Sequence, residues 1–189
     1  HRVAAGPATL AVYPPLGDRH LSWPHALGNE AIPMIAAALL EVRPFDYLLD
    51  IWAGFGANSV VLAEQAATII AVEDDPLAAA ALQSNLAGLD SVDFLGGPPK
   101  RILTEMVGES YRVHAALLTP PEVADVVALL PHLIGLGVSR LALITDDSAG
   151  LARSLAAIRA KGYAVTAIQP VDLQPQQDGV TLIARFDRM

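Results

Sequence analysis

The strongest chemical signal in the chain is one run, Asp50-Ile51-Trp52-Ala53-Gly54-Phe55-Gly56. Glycines at 54 and 56 let a backbone turn sharply and come close to a ligand. The amides that open a following helix face outward, ready for a polar group. Glu73 stands 17 residues beyond Gly56, at the end of an apolar run, with Asp74 next to it. A carboxylate at the end of a second strand can accept both hydroxyls of an adenosine ribose. Strand, glycine turn, helix, strand and acid, in that order, describe a nucleotide-type site. Any doubly wound fold also needs a tight first turn, so the loop alone does not choose its ligand.

Spacing narrows the choice. A nicotinamide site prefers Gly-x-Gly-x-x-Gly, and the third small position here is Ser59. An acid four residues before the first glycine, here Asp50, suits S-adenosylmethionine proteins better. Asp146 and Asp147 form a second acidic pair at the end of a later apolar run. They suit a cationic substrate or a metal, or one of them caps the helix that starts near Ser148. The five histidines, at 1, 20, 25, 114 and 132, show no metal-ligand spacing. His114 and His132 lie in apolar runs and read as satisfied core or surface residues. No Ser–His–Asp arrangement is inferable, and Arg101, Arg112, Arg153 and Arg159 are scattered.

These residues need elements to position them, and the pattern from Asp46 onward supplies them. Short β-branched runs at Tyr47–Trp52, Thr68–Glu73, Ser91–Leu95, Val113–Leu118, Arg140–Thr145 and Tyr163–Ile168 read as buried strands. Helices are expected near Asn58–Gln65, Pro76–Leu86, Lys100–Val107, Glu122–Leu136 and Ser148–Lys161. Asp75 before Pro76 is a helix start, and Gly137 and Gly162 are helix stops. Strict alternation implies a parallel sheet with helices on both faces. At the end, Tyr163–Val171 and Val180–Phe186 are joined by a loop alone, which suits an antiparallel pair. The first 45 residues differ. Prolines at 7, 14, 15 and 24 break up a segment with room for a hairpin around Gly17–Asp18, and a helix follows over Glu30–Val42. Residues 1–45 therefore read as a hairpin and helix extension, and 46–189 as the main domain.

Composition agrees. The chain has 189 residues, 53% of them hydrophobic and 17% charged, which fits one compact domain and excludes a disordered chain. There is no cysteine, so disulfides, thiolate metal sites and thiol nucleophiles are excluded. A net charge of −8 with two lysines argues against a broad phosphate-binding surface. No uncharged run is long enough to span a bilayer and no signal peptide is visible, so a cytoplasmic location is the default expectation. The start at His1 without a methionine fits a piece of something longer. The expected fold class is α/β: doubly wound, a mostly parallel seven-stranded Rossmann-like sheet with an antiparallel last strand.

Taken together, the Asp50–Gly56 loop, Glu73 and the closing antiparallel strand resemble the class I methyltransferase fold. The resemblance implies S-adenosylmethionine as cofactor, with Asp50 near its methionine end, Glu73 on its ribose, and Trp52, Ala53, Gly54, Gly56 and Asp74 around it. A narrower resemblance is to RNA uracil-5-methyltransferases. That family places an aromatic where Trp52 stands, in an Asp-x-aromatic-Cys-Gly-x-Gly loop. Its C-terminal Ser-Cys-Asn-Pro-Ala-Thr-Leu-Ala-Arg run is similar to Thr145-Asp146-Asp147-Ser148-Ala149-Gly150-Leu151-Ala152-Arg153. Gly162-Tyr163 and the stretch Val171–Thr181 continue the likeness. Thr119-Pro120-Pro121-Glu122 looks like the family's Asp-Pro-Pro-Arg loop, and Leu27-Gly28-Asn29 like its Gln-Val-Asn. By the same resemblance Thr119, Pro120, Pro121 and Asp146 would face the methyl acceptor.

The departures fall on the residues that chemistry needs. In the family a cysteine adds to C6 of uracil and a glutamate helps remove the C5 proton. Asp146 occupies the cysteine position and Thr181 the glutamate position. A carboxylate is a far poorer nucleophile for that addition, and threonine is no base near neutral pH. Thr119 replaces the acid before the two prolines, Glu122 the arginine, Leu27 the glutamine, and Pro98 falls where an acid often contacts adenine. The expectation is an S-adenosylmethionine-binding methyltransferase domain with a nitrogen or oxygen acceptor, and the rival is a non-catalytic binding domain. RNA enters as a partner through the family alone, against the net charge; no membrane is expected, and oligomeric state is unreadable.

Overall fold

The computed structural model describes residues 2–5, 8–11, 26–172 and 179–189. Its centre is a seven-stranded sheet built from β3 (Tyr47–Ile51), β4 (Thr68–Glu73), β5 (Val92–Gly96), β6 (Ala115–Leu118), β7 (Arg140–Thr145), β8 (Tyr163–Val171) and β9 (Thr181–Arg188). The spatial order is β5-β4-β3-β6-β7-β9-β8. Neighbours from β5 to β7 pair in parallel. β9 slots between β7 and β8 and runs antiparallel to both, so the last strand is reversed as the sequence implies. A bulge interrupts β8 between Val165 and Ala167.

Residue alternation sorts the two faces. Leu49, Ile51, Ile70, Val72, Ala116, Leu118, Leu141 and Leu143 point to one side. They meet α4 (Pro99–Gly108), α5 (Val123–Gly135) and α6 (Ser148–Ala160). Leu48, Ile69, Leu117, Ala142, Ile144 and Ile183 point to the other and meet α1 (Ala26–Leu40) and Leu62 of α2 (Ala57–Leu62). Leu82 and Leu86 of α3 (Pro76–Leu86) pack on Ala53 and Ala71 beside them. Both faces are covered, which is why the central strands read as continuous apolar runs rather than alternating ones.

Caps set the boundaries. The Asp75 carboxylate accepts the amides of Leu77 and Ala78, with Pro76 at the first helical position of α3. Asp147 accepts the amide of Gly150 at 2.7 Å and starts α6. Gly137 and Gly162 take positive φ values of 85° and 95° just past α5 and α6. One boundary is corrected. The helix expected from Glu30 starts at Ala26 and ends at Leu40, so Pro33 lies inside it rather than in its first turn. The lost proline N–H is tolerated because Ile32, Ala36, Ala37 and Leu40 are all buried against the sheet.

An antiparallel pair, β1 (Arg2–Ala5) with β2 (Ala8–Ala11), precedes α1 and lies against it. The hairpin expected around Gly17–Asp18 lies outside the described residues. Among the described residues, no helix is long and apolar enough to cross a membrane.

Beneath α1, Arg140 and Asp46 form a buried ion pair. Nη2 of Arg140 donates to both carboxylate oxygens at 2.8 Å, while Nη1 donates to the carbonyls of Leu40 and Glu41. Asp46 also takes the amide of Arg43. One guanidinium thus ties the end of α1, the entry to β3 and the start of β7.

Candidate functional site

The loop after β3 bends through three left-handed residues, Trp52 (φ 58°), Gly54 (φ 60°) and Gly56 (φ 95°). Trp52 bears a side chain in a region that L-residues seldom adopt, and it packs partly buried on the sheet's core. Gly56 is constrained twice, because a Cβ there would stand 2.6 Å from Cδ1 of Leu82. The loop is tied on three sides. The amide of Ala53 donates to the Val72 carbonyl at 3.1 Å. The amide of Gly54 donates to Oε2 of Glu73 at 2.8 Å. Nδ2 of Asn85 in α3 donates to the Phe55 carbonyl at 2.8 Å.

Glu73 is 1% exposed and folds back beneath this loop. Its Oε1 accepts the amides of Asp74 and Asp75, at 2.9 and 2.8 Å. Burial raises its carboxyl above the ordinary range, and the three amides work against that rise. Oε1 holds two donors and Oε2 one, so further acceptor capacity remains on Oε2.

Asp50 is fully buried on the α1–α3 side of the sheet. Its Oδ2 accepts the Ser59 hydroxyl at 2.7 Å, whereas Oδ1 has no hydrogen-bond partner. Burial pushes this carboxyl up to about 6, with Ser59 and Asn58 moderating the rise. Oδ1 of Asn58 is a second buried acceptor without a partner. Ser59, at the third small position of the loop motif, is thus the donor that holds Asp50. A buried strand acid followed by a helix with Asn58 and Ser59 was the available signal. Asn85 and Leu82 carried none, since their roles depend on how α3 lies against the loop.

The other candidates reach the same edge of the sheet from neighbouring strands. Thr119 follows β6; its amide donates to the Ile51 carbonyl at 3.1 Å, and its Oγ1 is buried without a partner. Pro120 is half-buried, while Pro121 and Glu122 are exposed. Asp146 is exposed after β7, and Asp147 is committed to its helix and to Arg153 at 3.7 Å. Thr145 pairs with Leu182, so the next rung brings Asp146 beside Thr181. Pro98 sits past Gly97, whose amide donates to the Glu73 carbonyl at 2.9 Å. The structure therefore gathers the glycine loop, Glu73, Pro98, Thr119–Pro121, Asp146 and Thr181 on the C-terminal edge, where open α/β sheets hold ligands. Leu27-Gly28-Asn29 lies in α1, and residues 173–178 are outside the described residues. His114 faces the opposite edge, where its Nδ1 accepts the Tyr47 amide at 3.0 Å.

The fold is shared with known proteins. No protein-family model matches the chain. The 23S rRNA (uracil(1939)-C(5))-methyltransferase RlmD of Salmonella typhimurium is 30% identical over 167 residues, covering 85% of this chain and 38% of that protein. The chain thus spans under two-fifths of the length of that relative. Among solved structures, precorrin-6y C5,15-methyltransferase from Geobacter metallireducens superposes with a TM-score of 0.71 at 13% identity, covering 95% of this chain and 94% of that one. TYW2 of M. jannaschii, solved in complex with AdoMet, gives 0.59 at 14% identity, covering 89% and 80%. The fold is that of the class I S-adenosylmethionine-dependent methyltransferases. Within it, the chain is related to RNA methyltransferases and resembles the uracil-5-methyltransferases.

Proposed function

We propose that the chain binds S-adenosylmethionine at the Asp50–Gly56 loop and methylates a nitrogen or oxygen acceptor on the same sheet edge. The observation that carries this reading is the pre-formed loop, tied by Ala53, Gly54 and Phe55 directly above Glu73. The donor set fits the cofactor. Its ammonium and ribose hydroxyls are hydrogen-bond donors, and buried acceptors without partners stand on Asp50, Asn58 and Thr119. In this reading Glu73 and Asp74 hold the ribose end, Asp50 the methionine end, and Trp52, Ala53, Gly54 and Gly56 the wall between them. When bound, the sulfonium supplies an electrophilic methyl group. The chain's own work is to orient the acceptor between Thr119–Pro121 and Asp146 and to exclude water, which suffices where no covalent activation is needed. Asp146 and Thr181 stand where uracil chemistry calls for a thiolate and a base, so methylation of uracil C5 through a covalent adduct is not part of the proposal.

A second reading, a non-catalytic binding domain, draws on the satisfied state of Glu73, which already accepts three amides. Calorimetric titration with S-adenosylmethionine and S-adenosylhomocysteine, with NAD as control, separates the readings. Saturable binding of the first two, lost in Glu73→Ala and weakened in Glu73→Gln, supports the cofactor site and warrants an acceptor screen. Folded protein that gives no heat with either sulfur ligand overturns it.

A further inference from the structure

The net charge of −8 hides a segregation of sign along the strand direction. Among the described residues, the turns on the C-terminal edge carry Asp74, Asp75, Glu122, Asp146, Asp147 and Asp172, and the two arginines that reach them, Arg101 on the Gly96 carbonyl and Arg153 on Asp147, are each held in an ion pair. The opposite edge differs. A continuous run of backbone hydrogen bonds crosses it from β3 to β9. The His114 amide donates to the Tyr47 carbonyl, Ser139 to His114, and Arg188 to Ser139, at 2.9, 3.1 and 2.9 Å. At its far end Met189 donates to Gly162 at 2.9 Å, before β8.

Along this row stand four cations: Arg43 before β3, Arg112 before β6, Arg188 at the end of β9 and Lys161 before β8. None of the four makes an ion pair among the described residues, whereas Arg101, Arg140, Arg153 and Arg185 all do. The acids nearby are largely spent. Along the row Asp46 is taken by Arg140, and Glu41 and Asp187 by Arg185, which leaves Glu109 there and Glu64 and Asp90 further along the edge, before β4 and β5. Three aromatic side chains are interleaved with the cations and open to solvent: Phe45 (62% exposed), Tyr47 (46%) and Tyr111 (45%). The Arg43 guanidinium lies 6.0 Å from the Phe45 ring centre, and the Tyr47 and His114 rings are 6.0 Å apart. Five strands at about 4.8 Å spacing make the row about 19 Å long.

We propose that this N-terminal edge binds single-stranded nucleic acid, with phosphates on Arg43, Arg112, Arg188 and Lys161 and unpaired bases stacked on Phe45, Tyr47 and Tyr111. Unpaired cations interleaved with exposed aromatic faces are the combination that recognises a single strand, because every base offers a π-face and every nucleotide a charge. A membrane surface would call for an amphipathic helix, and this row is made of strand ends and turns. A duplex would call for a helix or ribbon laid into a groove, and this row is made of strand ends and turns.

The test is fluorescence anisotropy of the whole chain with a short labelled oligouridine, its DNA counterpart and a duplex, between about 50 and 200 mM salt. Both single strands are expected to bind, the duplex more weakly, with affinity falling as salt rises. Arg112→Glu/Lys161→Glu/Arg188→Glu is expected to weaken binding about tenfold or more and to flatten the salt slope by about 2. Phe45→Ala with Tyr111→Ala is expected to weaken it about tenfold with little change in that slope. Arg153→Glu, the same charge change at the other edge, leaves binding unaltered. All six substituted positions are exposed, and unchanged thermal midpoints confirm that the variants fold; should the triple variant fail to, Lys161→Glu alone reads the same effect. Absence of binding at low salt overturns the proposal. So does an equal loss in Arg153→Glu, or equal binding to phosphatidylserine vesicles. None of these readouts involves the glycine loop, so this proposal and the cofactor reading stand or fall separately.

Discussion

Asp50 and Glu73 are buried carboxylates at the two strand ends that frame one loop, and burial raises both, but they differ in the donors they meet. Glu73 is surrounded by donors, while Asp50 has Ser59 and one oxygen without a partner. Burial lifts Asp50 from 3.8 to about 6. The folded state therefore holds a proton that the unfolded chain releases, so this group's stabilisation is complete below about pH 4 and is lost as pH rises to about 6. Asp50→Asn removes that loss. Urea unfolding is expected to show the variant more stable than the parent by about 1–3 kcal/mol at pH 8, with the gap closing towards pH 4. A gap that does not change with pH would mean that Asp50 is ionised throughout. Glycine conformation gives a second, independent prediction. Gly56 and Gly88 share a left-handed φ, 95° and 88°, but only Gly56 would drive a Cβ into Leu82; nothing lies within 4 Å of a Cβ on Gly88. Gly88→Ala is expected to cost about 1 kcal/mol, and Gly56→Ala about 2–4. Equal losses would show that backbone conformation alone matters at both positions.

At the level of elements, legibility tracked the range of the interaction responsible. β4, α3 and β7 were read to the residue because their limits are local: an apolar run, an Asp75–Pro76 cap, a glycine beyond. The helix before β3 is expected from Glu30 but starts at Ala26, which puts Pro33 inside it, where burial of its neighbours against the sheet offsets the missing N–H. The Asp46–Arg140 pair joins residues 94 apart, so no local pattern announces it. The glycine loop was legible as a motif, whereas the parts that hold it rigid were not. Asn85 is the clearest case, an amide in the last turn of α3 whose Nδ2 fixes the Phe55 carbonyl from 30 residues away. Asn85→Ala is expected to cost about 1 kcal/mol of global stability. Its larger effect is expected on the loop: amide hydrogens of residues 53–58 should exchange faster by tenfold or more, while those of β6 and β7 change only with the global term. If loop and core exchange shift together, Asn85 stabilises the fold as a whole rather than the loop.

At the scale of the molecule, one question is what the first 45 residues do for the remaining 144. Composition separates them, because the prolines and the missing strand–helix alternation set 1–45 apart. Packing joins them. Ile32, Ala36, Ala37 and Leu40 of α1 are buried on Leu48, Ile69, Leu117, Ala142, Ile144 and Ile183, which without the helix would face water on one side of the sheet. Uncovering large aliphatic side chains costs about 1.5–3 kcal/mol each, against a total stability of about 5–15 kcal/mol. The same cut removes the Leu40 and Glu41 carbonyls from Arg140, leaving a buried guanidinium with Asp46 alone. A chain of residues 46–189 is therefore expected to lose its cooperative thermal transition and to bind hydrophobic dyes, while residues 26–189, which keep α1, are expected to melt cooperatively. Trp52 is the single tryptophan in both truncations, so its fluorescence reports on the glycine loop directly. A sharp transition with buried Trp52 in 46–189 would show that the sheet and its remaining helices suffice, and that α1 is an addition to a domain already complete.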